Sequence, residues 1–134
     1  MKVVLDTNIF VSGIHWQQGA SGKILDVWFD NKFELIYSEE IIQEIATILS
    51  NFKKNLSNED LIHWLSLIES KGTVVFPQIK FNAVKTDPDD NKFIDTAVEA
   101  NADYIVSQDR DLLDIKEFKG IKIINPQDFI KILN

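Results

Sequence analysis

Short β-branched and apolar runs recur along this chain, and stretches with helical spacing separate most of them. Lys2 to Leu5, Glu34 to Tyr37, Thr73 to Phe76, Tyr104 to Ser107 and Lys122 to Ile124 read as strands. Strands separated by helices imply a parallel sheet with helices on both faces, so the fold class is α/β. Lys23 to Phe29 is spaced as a helix. Ser38 sits at the N-cap position of a helix over 39–50, with apolar residues at 41, 42, 45, 48 and 49. Ser57 caps Asn58 to Ser70, which Gly72 ends. Asp87-Pro88-Asp89-Asp90 opens a helix over about 90–101, and Pro126 suits the first turn of a closing helix that runs to Leu133. Asp6-Thr7-Asn8 reads as a turn, and residues 12–22, with three glycines, as a loop. The expected order is β-α-β-α-α-β-α-β-β-α.

At 134 residues, with no internal repeat or Pro/Ser-rich linker, the expectation is one domain over residues 1–134. Cysteine is absent, which excludes thiol catalysis and thiolate metal sites and fits a reducing cytoplasm. No apolar stretch approaches a signal peptide or a membrane span, so a cytoplasmic protein free of the membrane is expected. The net charge of −7 argues against a broad basic surface for gripping nucleic acid. It leaves room for a nuclease whose excess acid lies in the active site, where bound cations reverse the local sign.

Acids stand where a site would form. Asp6 and Asp109 each follow a strand, and in open α/β sheets ligands bind beyond the carboxyl ends of the strands. Asp90 begins its helix, and at about 100° per residue Ile94 and Ala97 lie within about 40° of it, so it faces the core side. Asp95, beside Asn91 and Glu99, is expected to face solvent. On the helix from Glu39, Glu44 lies at the margin of the apolar face; Glu39 is placed nearly as well, and spacing does not choose between them. Taken singly, each acid has an ordinary explanation as a turn former, a helix cap or a solvated flank. Those explanations do not require the acids to converge.

With all four acids in view, the sequence resembles the PIN-domain nucleases, in particular their toxin-like branch of VapC type. The matching stretches are VVLDTNIFVSG (3–13), SEEIIQEIATIL (38–49), DPDDNKFIDTAVEANADYIVSQDRDLL (87–113) and IKIINPQDFI (121–130). They cover nearly the whole chain, and the first and third are the specific ones. The resemblance implies a three-layer α/β/α sandwich around a mainly parallel sheet, and metal-dependent cleavage of phosphodiesters, usually in RNA. Its acids fall on Asp6, Glu44, Asp90 and Asp109; Asp111 is an additional or outer ligand, and Thr7, Asn8 and Ser107 brace or extend the site. It also implies an antitoxin partner and a homodimer.

The chemistry suits these residues. Cleaving a phosphodiester needs an activated water, a neutralised phosphate and a stabilised leaving oxygen, and Mg²⁺ or Mn²⁺ can supply all three. Hard oxygen ligands suit these ions. Asp6, Asp90 and Asp109 are therefore assigned as metal ligands, direct or through water, and Glu44 as a ligand or the group that orients the water. Arg110, the only arginine, is open to a phosphate clamp or to an ion pair with a neighbouring acid. His15 and His63 are given no catalytic role. Trp16 is read as packing rather than base stacking, and Lys116, Lys119 and Lys122 as a solvated face. An aspartyl phosphatase would want a second acid where Asn8 stands, and neither a serine elbow nor a P-loop is present. The alternative from another class is a PIN-like RNA- or protein-binding module with weak or no catalysis.

Overall fold

The computed structural model describes residues 1–51 and 56–134. Six strands form one sheet in the order β3-β2-β1-β4-β6-β5. They are β1 (Lys2–Leu5), β2 (Glu34–Tyr37), β3 (Thr73–Val74), β4 (Tyr104–Val106), β5 (Glu117–Phe118) and β6 (Ile121–Ile124). All pairings are parallel except that of β5 with β6. The flanking helices are α1 (Thr7–His15), α2 (Ala20–Phe29), α3 (Glu39–Asn51), α4 (Asn58–Lys71), α5 (Asn91–Ala100), α6 (Arg110–Leu113) and α7 (Pro126–Leu133). The α/β class with a central, mainly parallel sheet stands as expected. Val3, Val4, Ile105, Trp28, Phe93 and Phe129 are among the side chains that fill the core. None of the described helices is long and apolar enough to cross a membrane.

Helix ends follow local chemistry. Ser57 and Asp60 form a reciprocal capping box at α4. The Asn125 side chain accepts from the Asp128 amide at 2.8 Å, ahead of Pro126. Asn101, in the left-handed region at φ 55°, turns the chain from α5 into β4.

Four expectations need correction. Residues 7–15 form a helix rather than a turn and loop, and α2 begins at Ala20 rather than Lys23. The glycines there serve close packing: a Cβ on Gly13 would lie 2.7 Å from Leu25 Cδ1, and one on Gly22 would lie 2.2 Å from the Gln17 carbonyl oxygen. Gly22→Ala should therefore cost about 2–3 kcal/mol, a fall of about 10 °C in Tm measured by circular dichroism; an unchanged Tm would contradict the packing described. Beyond these helices, β3 ends at Val74 instead of Phe76. The short α6 and β5 were not foreseen.

The fourth correction concerns α5. Its supposed solvent face carries residues 75–86, a strap that runs from edge strand β3 toward the opposite edge, where the Phe81 ring meets Phe118 of β5 at 5.3 Å. Past Val75, whose amide donates to Tyr37 O of β2 at 2.9 Å, the strap has no neighbouring strand among the described residues, and backbone amides need partners. Side chains one turn apart on α5 supply them. Glu99 accepts from Gln78 N at 2.8 Å, Asp95 from Phe81 N at 2.8 Å, and Asn91 from Val84 N at 2.9 Å.

Candidate active site

The site lies at the carboxyl edge of the sheet because parallel pairing puts three chain segments there. β1 and β4 are neighbours with Leu5 opposite Val106, so Asp6 and Ser107 leave the sheet side by side. α5 leads into β4 through the turn at Asn101, so it runs back along the sheet and its first residues return to the same edge.

Asp6 is 4% exposed. Ser107 Oγ donates to Asp6 Oδ2 at 2.6 Å and accepts from the Asp109 amide at 2.9 Å, so one buried hydroxyl links two acids. The Asn8 amide donates to Asp6 Oδ1 at 3.4 Å, while the Asn8 side chain is exposed. Burial pushes the Asp6 carboxyl above its usual range against the pull of the Ser107 hydroxyl and the Asn8 amide; the charges of Asp109 and Glu44 act in the same direction as burial.

Asp87, Asp90 and Asp109 are all half-buried, and each offers a carboxylate oxygen within 4.8 Å of the others'. Asp109 also caps α6, accepting from the Asp111 amide at 3.0 Å. The carboxylates of Asp87 and Asp90 make no capping bond, so the cap explanation fails for both. Asp90 Oδ2 is buried with no hydrogen-bond partner among the described residues. Burial, a hydrogen bond with Asp109 and the charges of Asp109, Asp87 and Asp6 push the Asp90 carboxyl up to about 8. A buried, unpartnered carboxylate oxygen beside other acids is costly. A divalent cation bound there would relieve that cost, and the all-oxygen donor set suits a hard ion such as Mg²⁺ or Mn²⁺.

Asp87 was missed by sequence reasoning, which took it for part of a charged helix start. The readable signal was spacing. Pro88–Asp90 is a 3₁₀ turn closed by Asp90 N to Asp87 O at 3.0 Å, and side chains three apart on such a turn stack on one side.

Glu44 stands beside the group of three, not within it. The Thr7 hydroxyl donates to Glu44 Oε1, and Lys92 Nζ lies 2.5 Å from Glu44 Oε2. Glu39 is exposed, so the choice left open between these glutamates falls to Glu44. Lys92, buried on α5, also went unrecognised as part of the site; it reaches Asp89 Oδ2 at 2.9 Å. Burial alone would lower its pKa, but the two carboxylates outweigh that and raise it. Asp111 contributes its amide and is outside the group of three. Arg110 is exposed and forms no ion pair among the described residues. Trp16 is 64% exposed, with its ring edge-on to His15 at 6.1 Å. Lys119 is spent over the Phe81 and Phe118 rings, 5.6 and 5.8 Å from their centroids.

Comparison with known proteins identifies the family and the fold. A PIN domain family model matches residues 2–111. The chain is 36% identical over 142 residues to the uncharacterized protein MJ1680 of Methanocaldococcus jannaschii, an alignment covering 98% of this chain and 90% of that protein. The chain belongs to the PIN domain family, whose members are generally nucleases. Three crystal structures share the fold. VapBC2 from Rickettsia felis, bound to a DNA fragment from its promoter, matches with a TM-score of 0.65 at 19% identity, over 93% of this chain and 98% of that one. PAE2754 from Pyrobaculum aerophilum matches with a TM-score of 0.62 at 16% identity, over 98% and 88%. FitAcB from Neisseria gonorrhoeae matches with a TM-score of 0.55 at 16% identity, over 93% and 98%.

Proposed function

We propose that this protein is a Mg²⁺- or Mn²⁺-dependent ribonuclease, working as a single domain in the cytoplasm as the toxin of a toxin–antitoxin pair. The observation that carries the nuclease reading is the convergence of Asp87, Asp90 and Asp109 within 4.8 Å, with a buried oxygen of Asp90 left unpartnered. The likeness to VapBC2 supports the VapC type and an antitoxin partner; the homodimer is proposed on the family resemblance alone.

Hydrolysis adds water across a P–O bond. The water oxygen joins phosphorus and loses a proton, the bond to the leaving oxygen breaks, and that oxygen gains a proton. A bound divalent cation supplies positive charge for the phosphate and makes a water more acidic. Asp87, Asp90 and Asp109 would hold that cation. Asp6, held by Ser107 and keeping a free acceptor direction on each oxygen, would join them as a ligand, directly or through water. Glu44 orients the attacking water at the edge of the group, and exposed Arg110 meets the substrate's phosphates. A chain of net charge −7 can act on RNA because the cation reverses the sign of the field where the strand must approach.

Purified protein incubated with mixed RNAs should cleave them with Mg²⁺ or Mn²⁺ and stop on addition of EDTA. RNA binding without cleavage would make it a binding module instead. Cleavage indifferent to EDTA would remove the role given to the aspartates.

A further inference from the structure

One buried charge at this edge has no part in holding a cation. Lys92 is 8% exposed, and lysine is almost never that buried unless it is paired. Its ammonium donates to Glu44 Oε2 at 2.5 Å and Asp89 Oδ2 at 2.9 Å, while Thr7 from α1 donates to the other oxygen of Glu44. The Glu44 carboxylate is thus gripped by groups from two other helices. Among the described residues, Lys92 is the only cation in an ion pair with the acids of this edge.

We propose that Lys92 is a positioning residue that acts through Glu44. It fixes the carboxylate beside the three aspartates and offsets its charge, so that Glu44 orients the attacking water through its free acceptor directions and is a poor ligand for the cation. Each carboxylate oxygen has two acceptor directions, so one stays free on each after Thr7 and Lys92 are served. An ammonium this close to one oxygen weakens the pull of that carboxylate on a second cation. The proposal rests on the metal-dependent nuclease reading.

The opposing account is a plain structural ion pair that ties α3 to α5. The two differ in sign. If Lys92 positions Glu44, Lys92→Gln lowers kcat for RNA cleavage by about 10-fold or more with KM little changed. The same change removes a positive charge near the cation site, so Mn²⁺ binding, followed by titration calorimetry or by the resonance of free Mn²⁺, tightens by about 3–10-fold. Lys92→Arg, which keeps the charge and can reach both acids, recovers most of kcat. In a Glu44→Gln background the Lys92→Gln change costs almost nothing further, because the group it acts through is already altered.

A structural pair would instead lower Tm, Mn²⁺ affinity and kcat together, with effects that add in the double variant. That result overturns the proposal, as does an unchanged kcat in Lys92→Gln. Failure of the wild type to bind Mn²⁺ or to cleave RNA would overturn the nuclease reading itself, a separate outcome.

Discussion

Asp90→Asn should abolish RNA cleavage and at the same time raise the melting temperature of the metal-free protein. Activity falls because the variant replaces one of the three clustered carboxylates by a neutral amide, and a drop of about 10²–10³-fold or more is expected. Stability rises because the carboxyl is half-buried among Asp109, Asp87 and Asp6, and an amide removes that repulsion. After allowance for solvent screening the gain is about 1–2 kcal/mol, or about 3–8 °C in Tm. The pH dependence carries the same sign. The Asp90 carboxyl is raised from 3.8 to about 8 in the fold, so the folded form holds more protons than the unfolded one across that interval. Its contribution to stability is full below about pH 4 and is lost as the pH climbs through about 8. Metal-free wild type should melt at lower temperature at pH 8.5 than at pH 6, Asp90→Asn should show a flatter profile, and added Mn²⁺ should stabilise only the wild type. A variant that unfolds, beside a wild type indifferent to Mn²⁺, would make Asp90 structural and the cation site an error.

Asn91→Ala should have the largest effect on folding of any polar change near the site. Asn91 is 7% exposed, accepts from Val84 N at 2.9 Å, and donates to the carbonyls of Val84 at 2.9 Å and Pro88 at 3.0 Å. Removing it strands the buried amide and carbonyl of Val84, while the Pro88 carbonyl keeps the backbone N–H of residue 91, at a cost of about 2–4 kcal/mol. The same side chain ties the end of the strap to the 3₁₀ turn that carries Asp87 and Asp90. Mn²⁺ affinity should therefore fall by about 10-fold or more even well below Tm. Urea unfolding and Mn²⁺ titration check both effects. Loss of stability with wild-type affinity would show that the turn holds its shape without Asn91.

The strands at the centre of the sheet were legible because β-branched runs bounded by polar turns have few other readings. Asp6, Asp90 and Asp109 were legible for a related reason, since the ends of parallel strands and the first turn of a returning helix must share an edge. α1 was hidden by its own burial. Ile9, Phe10, Val11, Gly13 and Ile14 are all in the core, and a helix buried on most sides has no polar stripe to announce its period. The polar stripe of α5 misled in the opposite direction, because Asn91 and Asp95 are covered by the strap whose amides they serve, and only Glu99 remains exposed. Helix spacing did not separate Glu44 from Glu39; the family resemblance pointed to Glu44, and its contacts with Thr7 and Lys92, partners distant in sequence, agree with that.

The ladder between α5 and the strap also orders events in time. The strap precedes α5 in the chain, yet its amides at Gln78, Phe81 and Val84 find their acceptors only on successive turns of that later helix. A chain emerging from the ribosome must wait for more than two turns of α5 before those residues can settle, and Asp87 is carried at their end. Asp109 emerges later still. The acids that would hold the cation therefore assemble after most of the polypeptide has been made, and a half-made chain carries no cutting centre.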